Sequence, residues 1–389
     1  MSSFKFSSPL TSSSRHSHHH QTTSPPSTSS STATATMKIT SLHVYPIKAL
    51  RGIPLQSATI TPQGIAHDRS FMLLKVLPTG TFQKMQLSSF PQCALFSQEI
   101  DATTSTIVVR YNIPKDPLIP DHPSQHTPLR VPLEPDTSSL EPVPVDLHSS
   151  PVTALRMGPA YDAWFSACLG FDVLLAFIGP GRRQVLGTFA PGAAARKAQQ
   201  SSSSWLPSLL TSLLPSTTVP EDDYWLTFTD CSPLLITSES SLSAVSTLLP
   251  PSEPAQMSKF RPNIVLDGDT EPAWAEDFWA ELRVAGHPVA LTANCVRCTS
   301  LNVDYDTGRQ AAGEAGTVLK KLMKDRRVDP GSKWSPVFGR YAFPLDARDA
   351  VFTVNVGDDV QVTRRNDERT IYDWPGLSSS SSKPVAASA

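Results

Sequence analysis

The sequence has little cysteine. Five stand among 389 residues (Cys93, Cys168, Cys231, Cys295 and Cys298), an odd number at spacings that frame no disulfide set. That argues against a disulfide-stapled scaffold and for a reducing compartment. Long apolar runs are missing as well. No stretch reaches the roughly 18 residues that a membrane-spanning helix needs, and the opening residues lack the compact apolar core of a secretory signal. Charge is sparse and balanced, at 17% of residues and a formal net charge of -2. Nothing electrostatic therefore points to nucleic acid or to an anionic membrane surface. No internal repeat is visible.

What is present is unevenly distributed. Residues 1–36 are Ser, Thr, Pro and His, with no acidic residue and only Lys5 and Arg15 as fixed cations. Such a segment cannot bury enough apolar surface to order itself. Its Ser-rich, acid-poor composition also fits a mitochondrial transit peptide. A single Arg and the lack of an amphipathic face favour a disordered extension, and with it a cytoplasmic location, mitochondrial being the alternative. Met37 opens ordered sequence abruptly. The length suits two domains of ordinary size.

The first ordered block, 37–191, is rich in strand signals. Ile39, Leu42, Val44 and Tyr45 form a run ended by Pro46; Ser70–Val76 and Thr106–Tyr111 are β-rich. Residues 112–145 are Pro-rich and read as loop and turns. Tyr161, Trp164, Phe165, Cys168 and Leu169 fall at i, i+3, i+4, i+7 and i+8, which predicts a helix stopped by Gly170. Residues 192–220, with serines at 201–204 and further Pro, read as an inserted low-complexity loop. The second block, 221–365, has strand-like Tyr224–Phe228 and a helix from about Glu239 to Leu249, with Ser238 as N-cap. Strands near 262–267, 282–293 and 351–363 and a helix at 317–324 complete it. Residues 366–389 read as a Ser-rich tail, disordered from Leu377. Short strands without βαβ alternation predict an α+β, β-dominated chain. It should have two β-barrel-like domains with added helices.

The segment from Ala293 to Gly308 carries the most chemistry. It holds Cys295-Val296-Arg297-Cys298 and then Asp304-Tyr305-Asp306-Thr307-Gly308. A structural zinc site needs four ligands, and one CxxC supplies two. A thioredoxin-like pair belongs at a helix N-terminus, whereas this pair follows a β-type run. Two buried structural thiols remain open. Asp304–Gly308 lacks the remaining oxygen ligands of an EF-hand. A single thiolate binds a soft or high-valent transition metal well, and Arg297 beside it can lower the thiol pKa or contact an anion. Three further clusters concentrate cations or hydrogen-bonding groups: Pro46-Ile47-Lys48, His67-Asp68-Arg69 and Phe260-Arg261-Pro262-Asn263. Phe228-Thr229-Asp230-Cys231-Ser232-Pro233 is a loop of small hydrogen-bonding groups. Taken singly, each reads more simply as a surface salt bridge, turn or helix cap.

Together, in order, these segments resemble the MOSC family, in particular the mitochondrial amidoxime-reducing components and their bacterial and fungal relatives. The matching stretches are Tyr45–Lys48, Gly64–Phe71, Asp230–Pro233, Phe260–Val265 and Cys295–Gly308. Ser335–Gly339 and Val356–Asp358 follow. The resemblance covers roughly 37–363 and implies a MOSC N-terminal β-barrel domain, a MOSC domain and a cofactor site between them. It implies a molybdenum cofactor (molybdenum–molybdopterin) held through Cys298, the metal ligand and catalytic residue. Lys48, Arg69, Asp230, Ser232, Arg261, Asn263 and Arg297 would contact the cofactor. Lys and Arg suit its phosphate, and Asp, Ser and Asn its pterin. Ala49 and Cys231 depart from the Ser and Thr common in the family.

The implied activity is reduction of small N-hydroxylated substrates, such as amidoximes or hydroxylamines. Electrons would come from an external haem or iron–sulfur protein and its reductase. Three cysteines beside the pair cannot make a four-thiolate iron–sulfur site of the chain's own. A molybdenum-cofactor carrier is an alternative, since binding residues do not prove turnover. Sulfur transfer is another. Sulfurases of the family also carry a pyridoxal-phosphate domain, for which 389 residues leave no room.

Overall fold

A computed structural model describes residues 36–203, 224–348 and 351–378. The expected residues 1–35 of the extension and the Ser-rich end lie outside these, as does most of the 192–220 segment.

Seven strands close into a barrel. They are β1 (Met37–Val44), β2 (Leu234–Ser238), β3 (Ile264–Leu266), β4 (Trp279–Val284), β5 (His287–Val296), β6 (Val337–Pro344) and β7 (Asp359–Arg365). The order is β3-β2-β6-β5-β4-β7-β1, and β1 pairs back onto β3. Only β2 and β3 run parallel among these pairs. Ile39, Leu42, Leu234, Ile236, Ile264, Leu266, Leu282, Leu291 and Val360 fill the barrel as one buried cluster. Inward and outward residues alternate along β1 until a bulge between Ile39 and Ser41 shifts the register. The barrel thus takes its closing strand from the start of the first sequence block.

The rest of the first block makes a half-barrel. Its five strands run in the order Glu141–Leu147, Ser150–Arg156, Val173–Phe177, Phe71–Val76 and Phe82–Lys84. A three-stranded sheet of Phe96–Asp101, Thr106–Tyr111 and Leu129–Pro132 adjoins it. The predicted helix is Pro159–Leu169, and Gly170 ends it in the left-handed conformation at φ 77°. Trp164, Phe165, Cys168 and Leu169 enter the core beside Phe96. Burial pushes the Cys168 thiol up to about 12, as suits an inert core cysteine.

Several expectations need correction. The Pro-rich 112–145 segment contains the strands Leu129–Pro132 and Glu141–Leu147. Pro142 and Pro144 are tolerated because Glu141–Leu147 is a sheet edge, paired on one side with Ser150–Arg156. The run near 282–293 is the hairpin β4–β5, turning at Ala285–Gly286. The run at 351–363 divides into Phe352–Asn355 and β7. Tyr224–Phe228 shortens to the strand Trp225–Leu226. The supposed loop from 192 begins as the helix Ala193–Ser203. The supposed tail from 366 is partly core: Tyr372 and Trp374 are buried and pack edge-on against Phe189. The helices Glu239–Ser246, capped by Ser238, and Val318–Asp325 stand close to where the pattern puts them. Asp304 accepts from the backbone N–H groups of Asp306 and Thr307, so that acidic stretch is a hydrogen-bonded turn. Among the described residues, no helix is long and apolar enough to cross a membrane.

Candidate functional site

One pocket is lined by Lys48, Arg69, Asp230, Ser232, Arg261, Asn263, Arg297 and Cys298, together with Thr229, Cys295 and Tyr341. Backbone pairing explains how residues so far apart in sequence meet. β1 leads through Pro46 to Lys48, whose N–H donates to Phe71 O at 2.8 Å and whose neighbour Ile47 bridges Phe71. Arg69 N–H donates to Tyr45 O, and Phe228 N–H donates to Arg69 O. Gly64, at φ 94°, lets this turn approach closely, for a Cβ there would meet Pro233 O at 2.4 Å. Asn263 N–H donates to Leu235 O, and β5 ends beside β6 at Val296.

The cations are held on an aromatic platform. The Arg69 and Arg261 guanidinium carbons lie 4.3 and 4.4 Å from the ring centroid of buried Tyr45. Tyr45 in turn donates its hydroxyl proton to Pro262 O at 3.1 Å. Asp68, buried behind, accepts from Arg69 Nη1 at 2.5 Å and from Tyr45 N–H at 2.8 Å. Arg261 Nη1 donates to Leu50 O at 2.8 Å. Lys48 is buried; its Nζ donates to Phe228 O at 2.9 Å and to Asp230 Oδ1 at 2.5 Å. Burial holds the Lys48 ammonium below its usual range, and Asp230 works against that. Although about half of the Asp230 side chain is exposed, the surrounding walls also oppose its charge by desolvation. Lys48 and His148 outweigh it and hold the carboxyl well below the usual carboxylate range. Lys48, Arg69, Arg261 and Arg297 thus face two carboxylates, Asp68 and Asp230, leaving a positive excess suited to an anion.

The two cysteines of the pair differ sharply. Cys298 is exposed, follows the end of β5 and has Sγ 3.2 Å from Ser300 Oγ. Cys295 is buried against the same wall. Its thiol is raised by burial, against the pull of Arg297, whose Nη1 donates to Cys295 Sγ at 2.9 Å. Arg297 Nη2 donates to Phe260 O at 2.7 Å, while Nε has no hydrogen-bond partner. Buried Thr229 Oγ1 on the pocket wall is likewise unpartnered. Asn263 spends most of its amide on the framework: Oδ1 accepts from Leu235 N–H and Arg69, and Nδ2 donates to His43 O. Ser232 donates to Leu234 O at 2.7 Å.

Three pocket residues that are not glycine, Ala49, Arg69 and Arg261, have left-handed backbones at φ 73°, 47° and 57°. Each costs about 1–3 kcal/mol and persists only where its surroundings over-determine it, as ligand sites often do. A fourth such feature adjoins the pocket. His148 and Ser149, at φ 58° and 61°, turn the hairpin between Glu141–Leu147 and Ser150–Arg156. His148 Nε2 lies 3.3 Å from both Asp230 Oδ1 and Gln86 Nε2. Arg183 is completely buried and joins this turn to the Asp230 loop. It donates to Leu147 O, Ser150 O, Thr227 O and Thr229 O. Sequence reasoning placed neither His148 nor Arg183 at the site, since each is a lone residue outside any motif. Thr229 was within a quoted loop but not singled out.

Comparison with known proteins finds two family domains in the chain. The MOSC N-terminal beta barrel domain matches residues 36–172, and the MOSC domain matches residues 223–361. The first match supplies Lys48 and Arg69 to the pocket, and the second supplies Asp230, Arg261, Arg297 and Cys298. Human mitochondrial amidoxime-reducing component 1 is 27% identical over 330 residues, which is 83% of this chain and 82% of that protein. Mitochondrial amidoxime reducing component 2 of Macaca fascicularis is 35% identical over 144 residues, 36% of this chain and 40% of that protein. Molybdenum cofactor sulfurase of Botryotinia fuckeliana is 26% identical over 356 residues; that covers 84% of this chain but 41% of the sulfurase. The chain belongs to the MOSC-domain proteins, joins a MOSC N-terminal β-barrel domain to a MOSC domain, and resembles the mitochondrial amidoxime-reducing components.

Proposed function

We propose that this chain binds a molybdenum cofactor and reduces small N-hydroxylated compounds such as amidoximes or hydroxylamines. The observation that carries the reading is the meeting of four cations and one exposed thiol in a single pocket. The residues fit such a group. The unpartnered Thr229 Oγ1 and Arg297 Nε are buried polar atoms that want a ligand's hydrogen bonds. The positive excess suits a terminal phosphate.

In this reading Cys298 holds the metal, which a soft thiolate ligand suits. When bound, the cofactor supplies the redox chemistry. The chain's own residues position and enclose it. Arg69 and Arg261, pinned on Tyr45, offer guanidinium groups already oriented for an anion, so little rotamer freedom is lost on binding. Lys48 adds a point charge, and Asp230 Oδ2 is left for a ligand because Oδ1 takes both Lys48 and His148. Cys295 is a buried partner of Arg297 and supports the wall from behind. Electrons come from an external haem or iron–sulfur protein with its reductase. The relatives' names favour the mitochondrial alternative over the cytoplasm.

The test is reduction of a small aromatic amidoxime by the full chain from a cofactor-making host, driven by a reduced dye. The reading expects amidine in proportion to dye oxidised. The match to a sulfurase over most of this chain favours a second reading, in which the cofactor is carried or modified. Bound molybdenum without amidine formation would select it.

A further inference from the structure

His148 adjoins the pocket, and its hydrogen bonding has two mutually exclusive forms. Its Nε2 stands 3.3 Å from the Asp230 carboxylate and 3.3 Å from the Gln86 amide nitrogen. Without a proton on Nε2 it accepts from Gln86 and faces Asp230 lone pair to lone pair. With a proton there it donates to Asp230, as the neutral Nε2–H tautomer or as the imidazolium, and only the imidazolium brings a positive charge. The choice matters because the same Asp230 oxygen accepts from Lys48 at 2.5 Å. As long as Lys48 neutralises Asp230, its charge is partly spent. A protonated His148 takes over that task and leaves Lys48 free for a ligand anion.

The frame makes this contact a fixed one. Arg183 holds the carbonyls on both sides of His148, Leu147 O and Ser150 O, and also Thr227 O and Thr229 O of the Asp230 loop. Trp374 Nε1 donates to the carbonyl of His148 itself at 2.6 Å. The ring is mostly shielded, with 12% of the side chain exposed. It also lines a second cavity with Lys84, Asp146 and Ser149, which gives a proton a way in that avoids the pocket.

We propose that His148 is a ligand-responsive member of the site, taking up a proton and pairing with Asp230 when an anion sits beside Lys48. The groups that set its charge are Asp230, which favours the proton, and Lys48 and Arg183, which disfavour it. Burial disfavours it most and holds His148 below the ordinary histidine range. Lys84 and Asp146, of opposite sign, face it across the second cavity. An anion at Lys48 adds negative charge on the pocket side and reverses the balance. The inference rests on the reading above in one respect, that the pocket takes a phosphate-bearing ligand.

The probe is sulfate, a dianion throughout the range in which histidine titrates. It is added at constant ionic strength, against chloride, to the full chain from a host unable to make the cofactor. The readout is the ring carbon NMR signal of His148, assigned by its loss in His148→Asn. We expect saturating sulfate to raise the His148 midpoint by about one unit, hence about tenfold tighter sulfate binding at the acid end. His148→Asn should flatten that pH dependence while still binding sulfate. Sulfate bound in a Lys48-dependent way with an unmoved His148 midpoint would overturn the inference, as would sulfate affinity unchanged in Lys48→Gln. A chain that shows the linkage yet takes up no molybdenum in a cofactor-making host keeps this inference and loses the reading above. A molybdenum-loaded chain whose cofactor-free form shows no linkage does the reverse.

Discussion

Arg297 donates from Nη1 to the sulfur of Cys295 at 2.9 Å, and this contact separates the two thiols of the pair. Cys295 is locked in the wall, whereas Cys298 is exposed. Iodoacetamide on the native cofactor-free chain should therefore add one group, at Cys298, by mass spectrometry of its peptides. The other four cysteines are buried and should react only after unfolding. In the cofactor-loaded chain, Cys298→Ser should abolish reduction, and Cys295→Ser should keep most of it per bound molybdenum. Equal loss in both would mean that the sulfurs have the wrong roles.

Arg261 should matter for ligand retention. Replacement by Ala removes the contact with Leu50 O and one of the two guanidinium groups over Tyr45. Losing one charge-assisted contact to a bound anion costs on the order of 1–3 kcal/mol. Cofactor occupancy after gel filtration should fall accordingly, and Arg261→Lys should not restore it, because an ammonium cannot lie flat on the ring. Full occupancy in the Ala variant would remove Arg261 from the anion site.

Arg183 should matter for stability. It is a wholly buried cation whose partners are four carbonyl oxygens rather than a carboxylate. Burial lowers its pKa to about 10, still charged at neutral pH. Arg183→Met leaves those carbonyls unsatisfied and should lower stability by about 3 kcal/mol in urea unfolding. The same change should broaden or shift the His148 ring signal, since the turn loses its staple. A variant as stable as the parent would show that these carbonyls find water instead.

Glu276 gives a pH dependence of stability far from the pocket. It is fully buried, with Oε1 unpartnered and Ser241 donating to Oε2. Burial raises its carboxyl from 4.5 to about 7. The folded chain therefore binds a proton more tightly than the unfolded one. The stabilisation from that proton is fully present below about pH 4.5 and is lost as pH rises through about 7. Glu276→Gln should flatten the slope of stability across that window and gain most above it. An unchanged slope would mean that Glu276 is not the group responsible.

Local chemistry was readable from the sequence, and long-range pairing was not. The stripe from Tyr161 to Leu169 identifies its helix because a helix is periodic in its own residues. Short motifs in order brought Lys48, Arg69, Arg261 and Cys298 together on paper, and one pocket holds them. The closure of the barrel by Ile39 against Leu266 leaves no local trace, since strand partners are chosen across the chain. Two prolines disguised Glu141–Leu147, because an edge strand tolerates them where a central one does not. Tyr372 and Trp374 were lost in a polar context, although each is buried. His148 acquires its chemistry only through Asp230 and Arg183, neighbours that folding supplies.

The most direct test of a molybdenum site at Cys298 is metal and pterin analysis of the full chain purified from a host that makes the cofactor. About one molybdenum per chain, with a released pterin in equal amount and both sharply reduced in the Arg261→Ala variant, is the predicted result. Zinc at that stoichiometry, or a chain holding neither molybdenum nor pterin, would contradict it.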